Sequence, residues 1–158
     1  MAYATSSDLT NAYSASLLGR LCVRADDPVP LDPAVQDARV AAALDGGSGV
    51  MDGYFQAGYN VPVQTSVPSG LTSLRDCCCV LAVATLVGQK GYVRGSEDES
   101  LMVRAETWRA WLRDVSKGIV QIPGASASDA NSTGSAPRTA FLVSSKCRYI
   151  RNVDRRFR

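Results

Sequence analysis

Histidine is absent from all 158 residues, and with it the commonest general base and a principal zinc ligand. The five cysteines (Cys22, Cys77, Cys78, Cys79 and Cys147) are odd in number, and three are adjacent, which speaks against a disulfide framework. Neighbouring residues of a helix point about 100° apart, so "CCC" cannot turn three thiolates towards one metal. These are expected to be small apolar residues of a crowded helix. The glycine-rich runs "GGSGVMDG" at 46–53 and "GQKG" at 88–91 lack the GK[ST] ending of a phosphate loop and suit turns or packing. The opening "MAYATSSDLTNAY" has no basic start followed by an apolar run. The longest apolar stretch, Cys77 to Val87, falls short of the roughly 18 residues a bilayer span needs. The expectation is a cytosolic, non-catalytic chain that has neither cofactor nor metal and does not engage a membrane.

What is present is a chain long enough for one self-sufficient core, 46% hydrophobic and 20% charged. Its formal charge of +2 is unevenly spread. From Arg138 to Arg158 seven basic residues face one acid, giving +6, and the first 137 residues carry ten basic and fourteen acidic side chains, giving −4.

Helix signals fill the first 122 residues. Thr5 with Asp8 reads as a capping box, and Leu9, Ala12, Tyr13, Leu17, Leu18 and Leu21 predict a helix over about 6–22 with an allowance for a break. "RADDPVPLDP" is a loop, after which Asp32 caps and Pro33 begins a second helix running towards Tyr59. "DGGSG" at 45–49 falls in its middle, where each glycine costs up to about 1 kcal/mol. A continuous element with a weak centre is expected, because glycines also let backbones approach closely. Leu71, Leu74, Cys78, Leu81 and Thr85 mark a third helix, apolar round most of its circumference and therefore central. Ser96 is read as the cap of a fourth, with Glu97, Asp98 and Glu99 as an acidic first turn rather than a metal set. Its apolar stripe is Leu101, Ala105, Trp108, Leu112 and Val115, and Trp108 and Trp111 are expected in the core or a subunit interface.

Beyond residue 122 the composition changes. "ASASDANSTGSAP" at 125–137 has no large apolar residue to bury and reads as a spacer. In "TAFLVSSKCRYI" the residues Phe141, Val143, Cys147 and Tyr149 alternate with a side that includes Lys146 and Arg148, the two-residue period of a strand. The fold class is therefore mainly α: a four- to five-helix bundle over 1–122, then a spacer and extended basic arm over 123–158 containing a short β-strand. A body of that size has a radius of gyration near ~14 Å. Fifteen extended residues reach ~50 Å, enough to leave the subunit.

The arm is the candidate partner-binding site. Phe141 to Ile150, with Val143 between, suit addition of a strand to a partner's sheet edge. Arg148, Arg151, Arg155, Arg156 and Arg158 suit carboxylates, and Tyr149 and Phe157 suit anchoring. The same cations support an alternative, a DNA-binding accessory protein, against which stand an acidic body and no recognised nucleic-acid module.

Four stretches taken in order carry a resemblance: "MAYATSSDL", "VMDGYFQAGYNVPV", "LRDCCCVLAVATLVG" and "RAETWRAWLRDVSKGIVQI". Together they resemble the small neck proteins of Mu-like bacteriophages and prophages. That resemblance implies a head-tail adaptor (connector) of the virion neck, assembled in the host cytoplasm. It further implies a ring, commonly of twelve copies, beneath the portal protein, which receives a stopper, tail terminator or other neck component. It implies no catalysis and no cofactor, with genomic DNA only as a non-specific passenger through the channel. The chain departs from the pattern at "GGSG", where the family usually continues a well-formed helix, and in the length of its spacer.

Overall fold

Thr5 and Asp8 open the fold. In the computed structural model, which describes residues 2–126 except 25, 29, 93 and 94, the Asp8 amide donates to Thr5 Oγ1 at 3.3 Å. The Thr5 amide donates to Asp8 Oδ2 at 2.9 Å, closing the expected capping box on α1, Ser6–Ala12. The allowance for a break is used. Tyr13 is extended (φ −134°, ψ 143°), and Ser14 starts α2, Ala15–Cys22, by accepting from the Leu17 amide at 3.3 Å. Interrupting the helix turns the Tyr13 ring into the core, where the Arg104 guanidinium lies 5.8 Å from its centre.

Asp32 Oδ1 accepts from the Ala34 amide at 2.9 Å and Pro33 occupies the first turn of α3, Pro33–Phe55. The helix runs unbroken through "DGGSG", and Gly47 shows why that sequence is tolerated. A Cβ there would stand 3.2 Å from the Cys78 carbonyl oxygen and 3.4 Å from the Ala82 amide nitrogen, so a larger residue would press the two helices apart by a few tenths of an ångström, and glycine lets them lie close.

That next helix, α4, Pro68–Lys90, packs on α1, α2, α3 and α5, Glu99–Ser116. Every residue from Cys77 to Ala84 is buried, as an all-round apolar helix requires. α4 is also long and apolar enough, at a mean hydropathy of 1.6, to cross a bilayer by length and composition. The eleven-residue apolar run counted from the sequence understated it, because flanking serine, threonine and glycine barely lower the average. Here 67% of that stretch lies inside the protein, and its central position accounts for its character.

α5 corrects one expectation. Ser96 does not cap it, and Glu97 and Asp98 are not its first turn. The helix begins at Glu99, preceded by a turn in which the Glu99 amide donates to the Ser96 carbonyl at 3.0 Å. The two carboxylates are engaged elsewhere: Arg20 of α2 bonds Glu97 at 2.8 Å and Asp98 at 2.9 Å, and Lys90 of α4 stands 3.7 Å from Asp98. Ala105, Leu112 and Val115 face the core, with Leu101 and Trp108 half-buried beside them. Five helices are present among the described residues and no strand; the strand expected within 139–150 lies outside them.

Candidate functional site

Phe55, fully buried at the end of α3, gathers one end of the bundle. Tyr3, Tyr59 and Trp111 meet its ring edge to face at 6.0, 6.3 and 6.4 Å, and Trp108 adds a T-shaped contact with Trp111 at 5.4 Å. Two of these rings carry hydroxyls that collect backbone amides. The Val63 amide donates to the Tyr3 hydroxyl at 2.8 Å, and the Ile122 amide donates to the Tyr59 hydroxyl at 3.1 Å. Tyr3 in turn donates to Asp52, while its own amide donates to Ser48 Oγ at 3.1 Å. Burial, reinforced by the Asp52 carboxylate, pushes the Tyr3 phenol well above its ordinary pKa, so it remains a donor.

Segment 119–126 is thus tied to the body at several points. The Thr65 hydroxyl donates to the Pro123 carbonyl at 2.5 Å and accepts from the Val67 amide at 3.1 Å, and Thr65 and Ala125 form an isolated antiparallel bridge. Two glycines make room for it. A Cβ on Gly70 would fall 2.5 Å from the Pro123 carbonyl, and one on Gly124, whose φ is +72°, would fall 2.5 Å from Val67 Cγ2. Sequence reasoning did not single these residues out. "IPG" signals a turn at Gly124, whereas Gly70 and Thr65 look like an ordinary helix start.

At the opposite end, the Arg39 guanidinium grips the Asp27 carboxylate through two bonds, one of 2.8 Å, and donates to the Cys22 carbonyl at 2.6 Å. The Arg24 amide adds a bond of 2.6 Å to Asp27. Arg39 first and the Arg24 amide second hold the Asp27 carboxyl well below the usual carboxylate range. Beside this pair a groove of about 430 Å³ is floored by Val35, Ala38 and Ala42 and walled by Arg24, Arg39 and Gln89. Burial raises the Cys77, Cys78 and Cys79 thiols, the last to about 12, which favours the neutral thiol over the thiolate that a ligand or nucleophile needs. Among the described residues no three Cys, Asp or Glu side chains gather as a metal set. All ten arm residues singled out from the sequence, from Phe141 to Arg158, lie outside the described residues.

A mainly α domain wrapped on one apolar helix, with its final segment pinned beside an aromatic cluster, fits the Mu-like phage class that the motifs suggest. The comparison with protein families makes it specific: the model described as bacteriophage Mu, Gp36, matches residues 3–141. The chain belongs to that family. No curated protein matches it. The matched span runs past the helical body, through the spacer and as far as Phe141. The basic tip beyond it, residues 142–158, is not covered, so family membership speaks for the first 141 residues and not for the tip.

Proposed function

We propose that this phage protein is a structural component of the virion neck, a head-tail adaptor whose copies form a ring, commonly twelve in such assemblies, between the portal protein and the next neck or tail component. The family match over residues 3–141 carries the reading, together with the likeness to neck proteins in the motifs. The architecture supports it. The helical body buries its own core, and its last described segment, residues 119–126, is held by Tyr59, Thr65 and two close-packed glycines. A root fixed in this way gives whatever follows a defined starting point. The role proposed for the arm is docking on the portal or an adjoining subunit, with Phe141, Val143 and Ile150 along an added strand, Tyr149 and Phe157 as anchors, and Arg148, Arg151, Arg155, Arg156 and Arg158 on carboxylates. No cofactor, metal or catalytic step is part of this function.

The test is the mass of the particle formed by the purified chain alone and with the portal of its own phage. A ring that adds to the portal is expected, and a persistent monomer that ignores it overturns the reading. Deleting residues 138–158 is expected to leave the body folded while neck assembly fails.

A further inference from the structure

The segment that follows α5 divides into two parts with different supports. Gly118, at φ +69°, turns the chain out of the helix, and the Ile119 and Val120 amides donate to the Asp114 carbonyl at 2.9 and 3.3 Å. These bonds finish α5 by themselves, as the end of a helix usually does. From Gln121 onwards the ties run instead to distant elements. The Ile122 amide reaches the Tyr59 hydroxyl, the Pro123 carbonyl accepts from the Thr65 hydroxyl, and Ala125 forms its lone bridge with Thr65. One side chain in 121–126 is buried, Ile122 at 3% exposure; Ala125 is half-buried against the core, and the other four residues are exposed.

We infer that residues 121–126 are a latch that opens from the bundle before the bundle unfolds, with Gly118 as its pivot and Ile122 as its catch. One buried apolar side chain and a few bonds must offset the backbone entropy of ordering six residues. Such a segment belongs to the low end of the range of local stabilities within a protein. None of its ties is a rung of a helix, so α3, α4 and α5 keep their own hydrogen bonds when it lifts. The closed state is nevertheless a close fit. At Gly70 an added Cβ would stand 2.5 Å from the Pro123 carbonyl oxygen and 2.9 Å from Thr65 Oγ1, and at Gly124 one would stand 2.5 Å from Val67 Cγ2. Latched, the chain leaves the body at Ser126; unlatched, it leaves at Val120, and the six freed residues add about 20 Å to the reach of whatever follows. The device belongs to the free chain and does not rest on the adaptor role.

Hydrogen exchange of the full chain, read residue by residue at rising urea below the unfolding transition, tests it. The Ile122 amide is expected to be protected, yet to exchange at least about a hundredfold faster than the buried α4 amides from Cys78 to Leu81. Its rate should scarcely depend on urea, because the opening exposes little surface. Gly70→Ala gives α4 a better helix former and sets a methyl where the Pro123 carbonyl and the Thr65 hydroxyl now meet. This variant is expected to speed Ile122 exchange by about tenfold or more. The α4 amides, and the Val63 amide held by Tyr3, should keep their parent rates. Exchange at Ile122 that rises with urea in step with α4 overturns the inference, because the segment then opens only with the bundle. An unprotected Ile122 amide overturns it too, since the seat is then never occupied. So does a Gly70→Ala variant that leaves Ile122 unchanged or strips protection from α4 as well. Portal association of parent and variant, measured separately, bears on the adaptor role alone.

Discussion

Tyr3 does with one side chain what a longer N-terminal element would otherwise do. Its ring packs on Phe55, its hydroxyl donates to Asp52 and accepts from Val63, and its amide bonds Ser48 beside the glycines of α3. Tyr3→Phe keeps the ring and strands the Val63 amide and the Asp52 carboxylate. We expect a loss of about 1–3 kcal/mol, the usual penalty for an unsatisfied buried partner, read as a lower urea midpoint at unchanged slope. Acid sensitivity also belongs to single residues. Asp27 and Asp8 both titrate below the ordinary carboxylate value when folded, Asp27 chiefly through Arg39 and Asp8 through the Thr5 amide and hydroxyl. A carboxyl depressed in the folded state adds stability above its unfolded pKa, near 4, and loses it as pH falls through the folded value. Denaturation midpoints are therefore expected to be flat from about pH 7 to 5 and to drop below about pH 4. Asp27→Asn should flatten that acid limb while lowering the neutral plateau. The buried thiols act at the other limit. Because folding raises them, their contribution is whole below about pH 8.5 and fades in alkali.

Helix α3 sets two kinds of glycine side by side. Gly47 faces α4, and Gly47→Ala forces a methyl to 3.2 Å from the Cys78 carbonyl oxygen, so the helices must part. An overpacking loss of about 1–3 kcal/mol is expected. Gly49→Ala and Gly53→Ala meet nothing and should stabilise the isolated subunit by up to about 1 kcal/mol each. Melting curves of the three variants check both signs. The same helix shows how far its sequence could be read. Its start was explicit in Asp32–Pro33, and its continuity was expected because glycines let backbones approach closely. Which glycine touches a neighbour was not legible, since that depends on where α4 lies. α1 and α2 illustrate a similar limit: the periodicity runs through residues 6–22, and only the gain from burying Tyr13, with Ser14 ready to cap, fixes the break. At α5 the acidic run "EDES" suggested a helix dipole, whereas Arg20, 77 residues away along the chain, claims Glu97. Local signals were overridden where a partner distant in sequence was stronger. For the candidate site, the charge and alternation of the arm were plain in the sequence, but its root was not, because Thr65 and Gly70 acquire meaning only when Pro123 and Gly124 lie on them.

The molecule as a whole divides its charge unequally, and this division separates by measurement the proposed adaptor role from the DNA-binding alternative. Residues 1–137 carry −4 and residues 138–158 carry +6, so removing the latter turns a chain of +2 into one of −4. If the arm served DNA, its seven cations would release condensed counterions from the phosphates, and affinity would fall steeply with salt. If it serves carboxylates on a folded partner, contact depends on geometry as well as on charge, and guanidiniums cannot be exchanged freely for ammonium groups. Replacing Arg148, Arg151, Arg155, Arg156 and Arg158 together by lysine preserves the net charge and removes the planar donors. We expect this variant to bind duplex DNA as weakly as the parent, within about twofold across salt. Portal association should fall by about tenfold or more, as loss of two-pronged bonds to carboxylates requires. Filter binding for DNA and sedimentation with the portal measure the two quantities on one preparation. Submicromolar DNA binding by both proteins, with portal association unchanged, would show that the arm responds to charge alone and would give the accessory role precedence.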